Sequence, residues 1–146
     1  MISTSYSYNE HDLTPFYAER QCHEYMKLGL MGVTVLYSSG DYGVAGNSGQ
    51  CIDGPGLDAP YNTGGSGRFN PSFPGTCPYV TAVGATQVKA DVNIAEGVSG
   101  TQPEKACETA IYSGGGFSNV FPLPDYQAGA VHEYVSCSLY SFQRRI

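Results

Sequence analysis

The alternation of apolar and polar positions in the first forty residues predicts a strand, a helix and a second strand. Residues 2–6 carry β-branched and aromatic side chains that favour a short strand. A polar turn follows, and then Thr14 and Pro15 are typical of a helix start, with apolar residues at helical spacing up to residue 28. Residues 33–37 form a nearly unbroken apolar run, as in a strand buried on both faces of a parallel sheet. Together the three elements predict one βαβ unit.

The rest of the chain combines one further buried strand with long irregular segments. Residues 79–83 form that strand, and residues 38–76, rich in glycine, proline, asparagine and serine, precede it. A loop of that length inside a compact domain is usually functional or disordered. Residues 86–110 are predicted to be an irregular surface excursion, and a helix is predicted to start within residues 117–135. This order of elements predicts an α/β fold with a mostly parallel sheet.

Composition and charge exclude several classes of function. The chain has 146 residues, of which 41% are hydrophobic, so a disordered chain is excluded. A formal net charge of −6 argues against a nucleic-acid ligand, which favours a basic patch, and against an anionic membrane surface. No signal peptide is predicted after Met1. Either the protein is cytosolic or the chain begins within a domain, and we favour the second explanation.

The five cysteines do not form a zinc motif, because no two have Cys-x-x-Cys spacing. Cys51 and Cys77 flank one glycine-rich loop, and a disulfide between them is the prediction for a secreted protein. Cys22 falls within the predicted helix and is expected to be a core residue. An odd number of cysteines leaves at least one thiol free.

The segment Ser-Ser-Gly-Asp-Tyr-Gly at 38–43 follows directly after the predicted buried strand. Ligands of parallel α/β folds bind at the carboxyl ends of the strands, which places Asp41 where a reacting group would lie. Gly40 allows the backbone to approach a substrate closely. The alternative is a turn aspartate that bonds its own backbone, and the hexapeptide taken alone favours that alternative.

Several further segments, in a fixed order, favour a functional role for Asp41 over the turn alternative. They are residues 33–43, 69–86, 113–119, 121–122 and 125–127. Together with Ile-Ser-Thr-Ser-Tyr at 2–6, they closely resemble the fungal sedolisins, which are acid-acting serine-carboxyl peptidases of tripeptidyl-peptidase type. The resemblance covers residues 2–135. It implies a subtilisin-like α/β fold, with a mostly parallel sheet flanked by helices, that is incomplete in this chain.

The resemblance also implies residue roles. Sedolisins use a Ser nucleophile assisted by a Glu and an Asp, and the Asp of their Ser-Gly-Asp motif, which lines the oxyanion hole, matches Asp41. A carboxyl group donates a hydrogen bond to an oxyanion only while it is protonated, so an acidic working pH and a buried Asp41 are expected. The first strand resembles the edge strand that pairs with the substrate backbone. The expected substrate-binding residues are Ser3, Thr4, Ser5, Ser39, Gly40, Gly114 and Gly115.

The chain departs from the family pattern in its catalytic residues. The family's nucleophile lies in a Gly-Thr-Ser motif, but the two Gly-Thr pairs of this sequence are followed by Gln102 and Cys77. No Glu has an Asp four residues later, so the family's Glu-x-x-x-Asp pair is missing as well. Calcium is the cofactor of the full-length family, and its site is not in this sequence. Residues 136–146 do not match the family and are expected to be an atypical tail beside the peptidase part at 2–135.

Three hypotheses remain at this point. The first is a fragment of a secreted peptidase that acts on peptides or proteins, binds neither nucleic acid nor membrane, and is inactive alone. The second is a non-catalytic peptide-binding remnant or an unstable truncated product. The third, a cytosolic α/β ligand binder, rests only on the missing signal peptide. Because an incomplete sheet leaves strand edges uncovered, the chain alone is expected to be poorly soluble or only partly folded.

Overall fold

The computed structural model describes residues 1–62, 66–90, 92 and 103–143 of the chain. Short strands and two long helices make up this part. The strands are β1 (Ile2–Thr4), β2 (Tyr8–Asn9), β3 (Val35–Ser38), β4 (Cys51–Ile52), β5 (Tyr61–Asn62), β6 (Ser72–Phe73), β7 (Thr81–Val83), β8 (Thr86–Val88) and β9 (Glu104–Ala106). The helices are α1 (Pro15–Leu30) and α2 (Ala128–Gln143).

The central sheet is parallel and has the strand order β1-β3-β7. Strand β3 pairs with β1 through Ser3 and Leu36, and with β7 through Tyr37 and Ala82. The predicted strand–helix–strand unit and the later strand are therefore confirmed, with the strands one or two residues shorter than the apolar runs suggest. Since β3 lies between the two other strands, its carboxyl end lies in the middle of the sheet edge, where the resemblance places the site.

Helix α1 begins where its local sequence indicates. The hydroxyl of Thr14 accepts a 3.3 Å hydrogen bond from the amide of Tyr17, and Pro15 occupies the first helical position. The apolar stripe of the helix buries Ala18 and Cys22 completely or almost so. These two side chains form a small buried core with Phe73 and Cys77.

The disulfide of the structure is not the one expected from the sequence. Cys22 of α1 is bonded to Cys77, with their Cα atoms 5.5 Å apart, whereas Cys51 is a buried free cysteine. The prediction of a Cys51–Cys77 bond is therefore wrong. The reason is that Cys77 packs against α1, in the core, and the glycine-rich loop between Cys51 and Cys77 does not bring these two cysteines together. Cys107 and Cys137 are also free.

The segment 38–76 is ordered by small pieces of antiparallel structure. Strand β2 pairs with β6, and β4 pairs with β5. A similar two-stranded pairing of β8 with β9 lies within the segment 86–110, which the sequence predicts to be an irregular surface excursion. Residues 91 and 93–102 of that segment lie outside the described residues. Each of these strands has only two or three residues, which is too short for a clear alternation of apolar and polar positions.

Helix α2 starts after the Asp125–Gln127 turn, where the sequence predicts a helix start, and continues across Ser136. In the part of the chain that the structure describes, no helix combines the length and the apolar character needed to cross a membrane.

Two tyrosines join α1 to the central sheet. The hydroxyls of Tyr25 and Tyr37 lie 2.9 Å apart, and their rings meet edge to face at 5.7 Å. Burial, together with this hydrogen bond, raises the pKa of Tyr37 to about 12. The pair holds the helix against the strand that leads to the candidate site.

Candidate functional site

Two loops meet at the carboxyl end of the parallel sheet. One follows β3 and contains Ser39, Gly40 and Asp41; the other follows β7. The amide of Ser39 donates a 3.0 Å hydrogen bond to the carbonyl oxygen of Val83, so the parallel pairing continues one step beyond the strands. This edge is where ligands bind in parallel α/β folds.

A third segment, Ser-Gly-Gly-Gly at 113–116, lies along the Asp41 loop. The amide of Tyr112 donates to the carbonyl oxygen of Asp41 at 2.8 Å, and the amide of Gly114 donates to that of Gly40 at 2.8 Å. A further bond of 2.9 Å joins the amide of Gly115 to the carbonyl oxygen of Gly43. Main-chain hydrogen bonds thus hold the glycine segment beside Asp41, although the two segments are about seventy residues apart in the sequence.

Glycine is required at the closest point of contact between these segments. A Cβ atom at Gly114 would lie 2.0 Å from the carbonyl oxygen of Ser39 and 2.8 Å from the amide of Gly40. Gly40 itself has φ +107, a conformation that side chains rarely adopt. The hydroxyl of Ser113 completes the contact by accepting a 3.0 Å hydrogen bond from the amide of Ala85. The segment is therefore a packed part of the site.

The Asp41 side chain is exposed. Within residues 1–62, 66–90, 92 and 103–143, no side chain forms a hydrogen bond with its carboxyl group. The burial expected from the sequence is therefore not provided by the described residues, because the loops around Asp41 contact one another through their backbones. Ser39 beside it has a buried hydroxyl for which the described residues offer no hydrogen-bond partner. The arrangement leaves the carboxyl group open to a bound molecule.

The other expected substrate-binding residues lie on or after β1. Ser3 and Thr4 belong to this strand, which is an edge strand of the described sheet. Thr4 pairs in register with Tyr37, so Ser5 is at the same end of the sheet as Ser38. The structure thus brings Ser39, Gly40, Gly114 and Gly115 into one hydrogen-bonded unit with Asp41, and it places Ser3, Thr4 and Ser5 on the neighbouring strand.

Sequence reasoning missed the buried Glu10, which lies in the segment predicted to be a polar turn. Its side chain is 1% exposed, and its carboxyl oxygens accept hydrogen bonds from the hydroxyl of Ser118 at 2.5 Å and from the amide of Asn119 at 2.7 Å. The partners are 108 and 109 residues away, so no local signal could have identified this contact.

A pocket of about 520 Å³ lies next to β7, and Asp41 is not among the residues that line it. It is lined mainly by apolar residues that precede or belong to β7 and by the segment before α2, including Val80, Phe117, Phe121, Leu123 and Tyr126. It offers no charged group, and in the described residues no group of three or more His, Cys, Asp or Glu side chains could hold a metal ion.

Among solved structures, the fold of this chain is similar to that of a Pseudomonas sedolisin (serine-carboxyl proteinase) complexed with two molecules of pseudo-iodotyrostatin. The TM-score is 0.57 at 21% identity, and the match covers 87% of this chain and 32% of that chain. This likeness concerns the fold, and it confirms the α/β class expected from the sequence.

The curated relatives are closer in sequence. Aorsin from Aspergillus oryzae is 48% identical over 139 residues, and tripeptidyl-peptidase SED1 from Arthroderma otae is 44% identical over 140 residues. Each match covers 92% of this chain. The chain belongs to the sedolisin family.

The match covers only part of each relative. The chain spans about a fifth of the length of the curated relatives it matches, 20% of aorsin and 21% of tripeptidyl-peptidase SED1. No protein-family model matches the chain.

Proposed function

We propose that this chain forms the oxyanion-binding and peptide-facing part of an acid-acting serine-carboxyl peptidase of tripeptidyl-peptidase type, which hydrolyses peptide bonds. The observation that carries the proposal is the hydrogen-bonded unit of the Asp41 loop and the glycine segment 113–116 at the carboxyl end of the parallel sheet. The relatives support it, since one of the two named above is a tripeptidyl-peptidase.

The role of Asp41 follows from the charge that develops during peptide hydrolysis. Attack on a peptide carbonyl carbon creates an oxyanion, which is stabilised by hydrogen-bond donors in fixed positions. A protonated Asp41 supplies one O–H donor, whereas an ionised carboxylate has none and repels the oxyanion. The exposed side chain is accessible to a substrate carbonyl, and a bound substrate would shield it from water. Activity is therefore confined to acidic pH.

The substrate would bind as an extended peptide. Edge strands present unpaired N–H and C=O groups to which a peptide can add as a further strand. Strand β1 is such an edge, and its carboxyl end lies beside the Asp41 loop. In this proposal Ser3, Thr4 and Ser5 pair with the peptide backbone. The close backbones of Ser39, Gly40, Gly114 and Gly115 shape the surface around the bond that is cut.

The chain alone is catalytically incomplete in this proposal. The family's Gly-Thr-Ser nucleophile and Glu-x-x-x-Asp pair do not occur in the sequence. The whole protein would supply them, would be secreted, and would bind calcium through residues outside this sequence. Its partners are peptide or protein substrates.

The first experiment measures peptidase activity of the purified 146-residue chain on unblocked tripeptide reporters from pH 3 to 7, beside a reference sedolisin. We expect no turnover by the chain alone. Robust turnover would contradict the proposal of an incomplete catalytic unit.

The second experiment replaces the matching segment of aorsin with residues 2–135 of this chain. An active chimera is expected, and Asp41→Ala in it should lower kcat by roughly 10²–10³, the usual cost of losing an oxyanion donor. The matched control is Asp58→Asn, because Asp58 is also an exposed loop aspartate. A folded, secreted chimera without activity would favour the non-catalytic peptide-binding alternative. An Asp41→Ala variant that retains full activity would contradict the oxyanion role of Asp41.

A further inference from the structure

The glycine segment 113–116 has little of its own to fix its position. Three successive glycines lack side chains that could pack, and glycine loses more conformational freedom on ordering than any other residue. Two of its amides donate hydrogen bonds to the carbonyl oxygens of Gly40 and Gly43, which hold the segment along the Asp41 loop. At its near end, Ser113 is hydrogen-bonded to Ala85 and Cys107. Its far end leads into Phe117, Ser118 and Asn119, so the anchoring of these residues is the second constraint on where the segment can lie.

Glu10 is the centre of that anchor. Its two oxygens accept separate hydrogen bonds, one from the hydroxyl of Ser118 and one from the amide of Asn119, at 2.5 and 2.7 Å. Glu10 is itself fixed, because its amide donates to the carbonyl oxygen of Pro71 at 2.9 Å and its carbonyl oxygen accepts from the amide of Leu13 at 3.1 Å.

Ser118 connects Glu10 to the turn that follows by hydrogen bonds. Its hydroxyl oxygen accepts from the amides of Val120 and Phe121, at 3.0 and 2.8 Å, while its proton is donated to Glu10. One hydroxyl thus bonds Glu10 through its proton and two backbone amides through its oxygen.

Asn119 ties the same turn to a second element. Its side-chain amide donates to the carbonyl oxygen of Phe69 at 2.8 Å, and its oxygen accepts from Arg68 at 3.3 Å. The rings of Phe69 and Phe117 lie 5.8 Å apart. This contact stabilises the turn without reaching Gly114 or Gly115, whose described bonds go to the Asp41 loop.

We propose that Glu10 is a positioning residue: its buried carboxyl group fixes the turn at Ser118 and Asn119, and thereby holds the glycine segment 113–116 against the Asp41 loop. The inference rests on the proposed function for its catalytic meaning, since that loop would hold the oxyanion residue. The positioning itself is a property of the folded chain and can be measured with no peptide bound or cleaved.

The test is amide hydrogen exchange by NMR on the full 146-residue chain. The amides of Gly114 and Gly115 report on the glycine segment, and the amide of Ala18 in α1, bonded to the carbonyl oxygen of Thr14 at 3.0 Å, reports on global opening. In Glu10→Gln, exchange at the two glycines should rise roughly tenfold or more relative to Ala18, since the NH2 group of glutamine cannot accept one of the two hydrogen bonds. Glu10→Ala should raise it further, because both acceptors are gone.

Two more variants make the result decisive. Ser118→Ala removes one of the two donors and should raise exchange at the same glycines even if the Glu10 variants do not fold. Glu19→Gln is the matched control, because Glu19 is an exposed glutamate of α1, and it should change neither reporter.

Three results would overturn the proposal. One is an equal rise at Gly114, Gly115 and Ala18, which would assign to Glu10 a role in global stability only. Another is unchanged glycine exchange in the Glu10 and Ser118 variants. The third is an absence of protection at both glycines in the unaltered chain. None of these depends on peptidase activity, so a failure here is distinct from a failure of the chimera experiment.

Discussion

The amide of Gly114 donates a 2.8 Å hydrogen bond to the carbonyl oxygen of Gly40, the residue immediately before Asp41. This bond joins two segments that are far apart in the sequence and sets the distance between their backbones. The close approach restricts position 114 to glycine, while position 40 is restricted by its φ of +107. The candidate site is therefore built by main-chain contacts, with Asp41 as its exposed chemical group.

Gly114→Ala should destabilise the chain, because the added Cβ would lie 2.0 Å from the carbonyl oxygen of Ser39 and the backbones would have to separate. We expect a loss of about 1–3 kcal/mol in the free energy of unfolding, measured by urea denaturation. Gly115→Ala is the matched control, since nothing lies within 4 Å of a Cβ atom there. Equal stability of the two variants would show that the backbones are not in close contact.

Removal of the Cys22–Cys77 disulfide should cost about 4 kcal/mol, the loop-closure entropy expected for a bond between residues 55 positions apart. The double variant Cys22→Ala and Cys77→Ala should therefore unfold at much lower urea concentration than the unaltered chain. Cys137→Ala serves as control, because Cys137 is exposed and unbonded. Mass spectrometry of the oxidised chain after thiol alkylation should find Cys22 and Cys77 protected; labelling of both would contradict the bond.

Stability should fall at alkaline pH because of Tyr37, whose pKa is raised to about 12 by burial and by the hydrogen bond with Tyr25. The unfolded chain releases this proton near pH 10, whereas the folded chain keeps it until about pH 12. The contribution is therefore complete below pH 10 and is lost as the pH rises to 12. Urea midpoints between pH 9 and 12 should decline less in Tyr37→Phe than in the unaltered chain, while Tyr17→Phe, at an exposed site, should behave like the latter.

Val83→Lys should reduce association of the isolated chain. Strand β7 is an edge of the described sheet, so this strand can pair with another chain. Val83 lies on it and is 50% exposed. A lysine at an edge opposes such pairing by charge. Sedimentation velocity over a range of concentrations should show less association for Val83→Lys than for Leu57→Lys, which places the same charge on an exposed loop. Identical behaviour of the two variants would argue against edge pairing.

The exposed area supports this expectation of association. The accessible surface is 10061 Å² for a chain of 15.6 kDa, whereas a compact protein of this mass exposes about 7,300 Å². Part of this additional accessible area belongs to apolar side chains on edge strands and helices, such as Val83 and Phe16. The expectation from the sequence that the chain is poorly soluble or only partly folded stays a prediction, and the sedimentation measurement addresses it.

Elements with local signals could be predicted from the sequence. Helix α1 has a capping threonine, a proline at its first position and an apolar stripe, and it begins where Thr14 indicates. The parallel strands have apolar runs, and the Ser-Gly-Asp loop follows β3 as expected. The ordered motifs were sufficient to identify the family.

Features that depend on distant residues could not be predicted in the same way. The partner of Cys77 is decided by the packing of α1, and the burial of Glu10 is decided by Ser118 and Asn119 more than a hundred residues later. The exposure of Asp41 likewise depends on which loops surround it. In each case the local sequence fits several environments, and only the tertiary contacts select one.

The bond between Cys22 and Cys77 also has a consequence for proteolysis. Residues 53–58 are all exposed, and they lie between the two bonded cysteines. A protease that cuts there leaves two polypeptides joined through sulfur, so the nicked chain keeps its mass on a gel until a reductant is added. Helix α1 and strand β7 would then remain covalently linked through this disulfide after a single cut.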